Sequence, residues 1–132
     1  MTERVIDASV LALAVIGRDA DAVHLRQTLI EIKCHAPHLI DAEFGNVLRK
    51  RTRIGDVTPQ QARTALTAAS SIVDVRYAHA GNLSELAWAM RDILSFSDAL
   101  YVALAVRLDV PLWTADRRLS RAPRLPCAVE LV

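Results

Sequence analysis

Apolar residues recur along this chain in two alternating rhythms. Short apolar runs read as buried strands at residues 4–6, 34–36, 72–75, 112–114 and 128–131. Between them lie longer stretches with helical spacing, at residues 10–16, 19–33, 39–53, 60–70 and 83–94, then from Ser95 or Ser97 to about residue 108. The punctuation agrees with this division. Asp7-Ala-Ser9 can cap the first helix and Gly17 end it, and Pro37 opens the third. Thr58-Pro59 supplies an N-cap followed by Pro at the first helical position, and Asn82 can cap the helix that starts at Leu83. Strands separated by crossover-sized helical segments imply a parallel sheet covered on both faces. The expected fold is therefore α/β, a three-layer α/β/α sandwich around a mainly parallel central sheet.

Within 39–53 one helical face carries two adjacent rows, Leu39, Glu43, Val47 and Ile40, Phe44, Leu48. Glu43 is the odd member of that apolar stripe. Three other acids interrupt apolar sequence in the same way: Asp7 in Val-Ile-Asp-Ala-Ser, Asp98 in Phe-Ser-Asp-Ala-Leu-Tyr and Asp116 in Leu-Trp-Thr-Ala-Asp. A buried, unpaired carboxylate costs several kcal/mol or more, so acids in such settings are neutralised, paired or bound to a cation. Asp7 and Asp116 directly follow strands, while Glu43 and Asp98 lie at or near helix starts. In parallel sheets the loops after the strands form the ligand crevice, and all four acids can meet there.

Composition narrows the class. The 132 residues are 52% hydrophobic but only 5% aromatic, which suits a single domain over residues 1–132 with a core of Ala, Val, Leu and Ile. No apolar stretch approaches the roughly 20 residues of a membrane helix, and no export signal is visible, so a cytoplasmic protein without membrane attachment is expected. Cys34 and Cys127 read as reduced thiols. The formal net charge of +1 hides an asymmetry: beyond the four acids, 16 basic residues face the 11 acids that remain of 15.

Four carboxylates about 5 Å apart repel by roughly 3 kcal/mol per pair at an effective dielectric of about 20, so they need shared protons or a cation. Oxygen ligands without adjacent His or Cys select Mg²⁺, with Mn²⁺ as the substitute, and such a site suits phosphodiester hydrolysis by an activated water. Asn46, one turn beyond Glu43, is spaced to hydrogen-bond it.

Val5-Ile6-Asp7-Ala8-Ser9, Glu43-Phe44-Gly45-Asn46-Val47-Leu48, Ser97-Asp98-Ala99-Leu100-Tyr101-Val102-Ala103-Leu104-Ala105 and Leu112-Trp113-Thr114-Ala115-Asp116-Arg117-Arg118-Leu119 together resemble PIN-domain ribonucleases. The likeness is strongest to the VapC toxins of type II toxin–antitoxin pairs, and it spans nearly the whole chain. It implies a single PIN-like domain and a magnesium-dependent endoribonuclease that a VapB-like antitoxin holds inactive. It also implies a homodimer. The family's acids map onto Asp7, Glu43, Asp98 and Asp116, with Thr114 and Ser9 as supporting hydroxyls. Arg117 and Arg118, adjoining Asp116, are the basic residues best placed for RNA. A PIN nuclease of RNA maturation without a toxin role stays open. So does a non-catalytic protein whose acidic rim binds a basic peptide. A phosphoacceptor receiver is less suited, because the only lysines are Lys33 and Lys50.

Each feature also has a plainer reading. Asp7, Asp98 and Asp116 sit where helix caps sit. The basic run Arg49-Lys50-Arg51 with Arg53 complements a helix C-terminus. Cys34-His35-Ala-Pro-His38 lacks the second half of a zinc site. Trp88, Met90 and Trp113 read as core.

Overall fold

The computed structural model describes residues Met1–Val132. Five strands, β1 (Glu3–Ile6), β2 (Lys33–Pro37), β3 (Val75–Tyr77), β4 (Leu112–Thr114) and β5 (Val129–Leu131), pair in the order β3-β2-β1-β4-β5, every pair parallel. Seven helices connect them: α1 (Ala8–Ile16), α2 (Ala20–Glu31), α3 (Leu39–Arg53), α4 (Pro59–Ile72), α5 (Asn82–Ala89), α6 (Phe96–Leu108) and α7 (Arg117–Ser120). From β1 the chain steps outward through β2 to β3, then crosses back over the sheet to β4 and β5. With right-handed crossovers, α1 to α4 and α5 to α6 must lie on opposite faces. The contacts agree: α1 packs on α2, α3 and α4, whereas α5 packs on α6. The expected three layers are present.

Strand order reverses direction between β1 and β4, and this is where a doubly wound sheet opens a crevice at its carboxyl edge. Val5, Ile6 and Leu112 are fully buried there. Helix α6 crosses β1, β2 and β4, and its Ala99–Ala105 stretch is buried without interruption. A helix apolar all round belongs inside.

The local chemistry accounts for most boundaries. The Asp7 side chain accepts from the Val10 N–H to cap α1, and Thr58 with Gln61 forms a reciprocal capping box on α4. Ser95 caps α6, accepting from the Asp98 N–H at 3.2 Å. Five expectations shift. Pro37 closes strand β2 instead of opening a helix, and α3 begins at Leu39. Ile72 and Val73 are buried at the end of α4, so the strand begins only at Val75. Asn82 lies inside α5, whose N-cap is Gly81 at φ +82°, and α5 ends at Ala89 instead of running to residue 94. Trp88 is exposed, because Leu83, Ala87 and Met90 occupy the buried side; its ring lies under the Arg91 guanidinium at 5.2 Å. Met90 is core as expected, and Trp113 is half-buried.

Gly17 does end α1, but its backbone is an ordinary φ −61°. Crowding is what requires glycine. A Cβ there would lie 2.4 Å from the Leu13 carbonyl oxygen and 2.6 Å from the Ala22 Cβ, where α2 turns back against α1. Gly17→Ala should therefore destabilise the fold by about 1–3 kcal/mol, as overpacking does, measured by urea unfolding. A gain in stability would show that the α1–α2 corner is not tightly packed.

Candidate active site

Asp7 leaves β1 into the crevice with 7% of its surface exposed. Its Oδ1 accepts from Ser9 Oγ at 2.5 Å and from the Val10 N–H at 3.2 Å, and its Oδ2 accepts from Thr114 Oγ1 at 2.5 Å. The two hydroxyls are polarised from behind. Ser9 Oγ accepts from the Ala115 N–H at 2.9 Å, and Thr114 Oγ1 accepts from the Asp116 N–H at 3.0 Å. Both hydroxyl protons thus point at Asp7, and the network joins the β1–α1 turn to the β4–α7 turn. Burial pushes the Asp7 carboxyl above its ordinary range, while the bonds from Ser9 and Thr114 pull it back.

Glu43 enters from α3. The Ile40, Phe44, Leu48 row is buried, whereas its own row is half-buried, so the carboxylate emerges at the margin of the core. Tyr101 Oη, on the buried helix α6, donates to Glu43 Oε1 at 2.5 Å. Burial raises the Glu43 pKa, the Tyr101 bond lowers it, and the charges of Asp98 and Asp7 raise it further. The Tyr101 hydroxyl is itself pushed well up, chiefly by burial and by its bond to Glu43. Asn46 is exposed and makes no hydrogen bond to Glu43. Its expected role falls to Tyr101, which the sequence does not reveal because an aromatic residue in an apolar helix signals core first.

Asp98 stands in the first turn of α6 and Asp116 caps α7, accepting from the Arg118 N–H at 2.9 Å. One guanidinium joins them: Arg118 Nη2 lies 2.9 Å from Asp98 Oδ2 and 3.3 Å from Asp116 Oδ2. The helix-cap readings are therefore correct for Asp7 and Asp116, and both acids also face the crevice. The charges of Asp98 and Asp7 lie close enough to Glu43 to raise its proton affinity, and Asp116 joins Asp98 through Arg118.

Another residue acts at a distance. The N-terminus of α3 has no side-chain cap from His38; instead His79 Nε2 accepts from the Leu39 N–H at 2.8 Å. That bond fixes the helix one turn before Glu43. The His must carry its ring proton on Nδ1 to accept there.

No three His, Cys, Asp or Glu side chains converge on a point where an ion would sit in this arrangement, and each of the four acids is bonded to a protein donor. The donor set is nevertheless all oxygen, with four carboxylates and two hydroxyls. That chemistry fits a hard divalent cation and not a thiophilic one. The zinc reading at Cys34 fails on contacts: Cys34 Sγ faces the Leu29 carbonyl, while His35 on the opposite face bonds Tyr77 and Glu3, each at 2.8 Å. Both cysteines are free, and burial pushes the Cys34 thiol up to about 12. A cleft of about 590 Å³ lined by Ile16, Val23, Leu48, Val57 and Ala65 among others includes none of the four acids. No helix is long and apolar enough to cross a membrane.

Comparison with known proteins gives the same picture. The PIN domain family model matches residues 4–125. Ribonuclease VapC1 of Mycobacterium tuberculosis is 47% identical over 132 residues, covering 100% of this chain and 99% of that protein. Among solved structures, VapBC2 from Rickettsia felis bound to a promoter DNA fragment superposes with a TM-score of 0.74 at 13% identity, covering 99% of both chains. VapC20 of Mycobacterium tuberculosis, a toxin that cleaves the sarcin-ricin loop, superposes with a TM-score of 0.66 at 19% identity over 88% of this chain and 92% of that one. At those identities the two structures speak for the fold.

The Asp7 network sets a pH-dependent outcome for Thr114→Val. The lost hydroxyl bond favours ionised Asp7, so the variant's folded-state carboxyl is raised further above its unfolded value near 3.9. A raised folded carboxyl pKa means stability is lost as pH rises through it. Urea unfolding at pH 5 and pH 8 should show a loss of about 1–3 kcal/mol that is larger at pH 8. A loss independent of pH would mean that Thr114 only packs.

Proposed function

The chain belongs to the PIN-domain family, in its VapC group, and on that footing we propose that it is a divalent-metal-dependent endoribonuclease, the toxin of a type II toxin–antitoxin pair. The observation that supports the reading is the gathering of acids about the β1/β4 switch point, where the charges of Asp98 and Asp7 raise the proton affinity of Glu43 and Asp116 shares the Arg118 guanidinium with Asp98. Acids so arranged repel unless a cation joins them.

In this reading residues 1–132 act as one PIN-like unit. Asp7, Glu43 and Asp98 hold Mg²⁺ or Mn²⁺, and Asp116 either completes the site or positions a second ion. When bound, the cation stabilises negative charge on the phosphate being cut and makes its attached water acidic. The remaining work belongs to the protein. Ser9 and Thr114 donate their protons to Asp7, which favours the ionised carboxylate against burial and fixes its orientation. Tyr101 does the same for Glu43, so neither acid must reorient across a large angle to present an oxygen. His79 holds α3 at the depth that brings Glu43 to the rim. Water adds to the phosphorus, the bond to the leaving ribose oxygen breaks, and that oxygen takes up a proton.

The names of its relatives support RNA as substrate and a VapB-like antitoxin as partner. With few aromatic side chains for stacking, RNA would be gripped by shape and backbone, by Arg118, which pairs with Asp98 and Asp116, and its chain neighbour Arg117. A homodimer and a cytoplasmic location complete the proposal.

Total RNA incubated with purified, antitoxin-free protein tests it. Discrete fragments are expected with Mg²⁺, none with EDTA, and cleavage about 100-fold slower or worse for Asp98→Asn. Folded protein that cuts no RNA in any metal would leave only a binding role for the acids.

A further inference from the structure

We propose that Arg118 is a phosphate-positioning residue of this nuclease, parked on Asp98 and Asp116 until a divalent cation takes those acids over. The inference rests on the nuclease reading above and adds to it a residue that exchanges partners.

Arg118 bridges two acids 18 residues apart through a single nitrogen, Nη2. Its Nε and Nη1 donate to no protein acceptor, so most of its five donors are free. The backbone beneath it is fixed. Asp116 binds the Arg118 and Leu119 N–H groups, and Leu119 is buried with 1% exposure. The side chain above is 69% exposed. A long, mobile cation is thus anchored at the mouth of the acidic crevice by a root that does not move.

Charge forces an exchange when metal arrives. A guanidinium and a divalent ion cannot both sit between the same carboxylate oxygens, because two cations at that separation repel and compete for the same lone pairs. Loading the ion must free Nη2. The freed group remains on α7, a few ångströms from the acids it left, and the nearest anion to arrive is the RNA phosphate that those acids serve. A guanidinium fork fits two phosphate oxygens, which an ammonium does not. Arg117, its neighbour, is exposed and touches none of the acids, so it lacks the exchange.

Two readouts test this: calorimetric titration with Mn²⁺, and steady-state cleavage at saturating Mn²⁺ of a fluorescent hairpin RNA carrying a cut site mapped in the total-RNA experiment. Exposed ion pairs of this kind are worth a few-fold in affinity. Arg118→Gln should bind Mn²⁺ about 3–10-fold more tightly, while its KM for RNA rises about 5–10-fold with a smaller change in kcat. Arg118→Lys, which keeps the charge without the fork, should hold Mn²⁺ affinity nearer the native value and still raise KM. Arg63→Gln, on exposed α4 surface, should move neither and so controls for lost charge. Unchanged or weaker Mn²⁺ binding by Arg118→Gln overturns the parked state, and an unchanged KM overturns the phosphate role. Native protein that binds Mn²⁺ but cuts no RNA fails as a nuclease, yet the Mn²⁺ comparison still decides the parked state. If neither native protein nor Arg118→Gln binds Mn²⁺, both proposals fall.

Discussion

Asp7 places a carboxylate between two buried strands, and the donors around it favour the charged form that burial opposes. Burying such a group without partners costs several kcal/mol. Two hydroxyls and a backbone N–H supply the missing hydrogen bonds, each worth about 1.5–3 kcal/mol when one partner is charged. Those partners come from both sides of the switch point, Ser9 and Val10 from the start of α1 and Thr114 from the end of β4. Satisfying one acid therefore locks two connections that are more than 100 residues apart in sequence. The crevice and the network that shapes it have a common origin.

The other acids inherit their positions from this frame. Helix α6, whose Ala99–Ala105 stretch is buried against β1, β2 and β4, carries both Asp98 and Tyr101, and Tyr101 reaches Glu43 on α3. Glu43 in turn depends on the His79 bond at the start of α3. Arg118 balances the outer pair, Asp98 and Asp116, from an exposed position. The inner acids are held by neutral donors and the outer acids by a cation, which divides the site into a buried floor and an exposed rim.

Much of this frame is legible in the chain itself. Acids set in apolar runs mark Asp7, Glu43, Asp98 and Asp116 because their cost is visible without coordinates, and alternating strand and helix patterns imply the parallel sheet. What escapes is non-local. Nothing in the spacing of Tyr101 distinguishes a donor to Glu43 from a core aromatic, and Asn46 is favoured only because helical neighbours can be counted from sequence while inter-helix neighbours cannot. His79 caps a helix 40 residues before it. Gly17 reads as a helix stop, but its reason is the approach of Ala22, a contact between two helices. Strand β3 is misplaced by pattern alone because Ile72 and Val73 are as apolar as a strand, yet they are buried as the end of α4.

The central claim is that Asp7, Glu43 and Asp98 form one cation site on the β1/β4 edge. The most direct measurement is anomalous diffraction from crystals grown with Mn²⁺. The account predicts an anomalous peak in the crevice with oxygens of these three acids at about 2.0–2.3 Å or one water away. A peak only elsewhere on the surface, or none at saturating Mn²⁺ with Arg118 still bonded to Asp98 and Asp116, would contradict it.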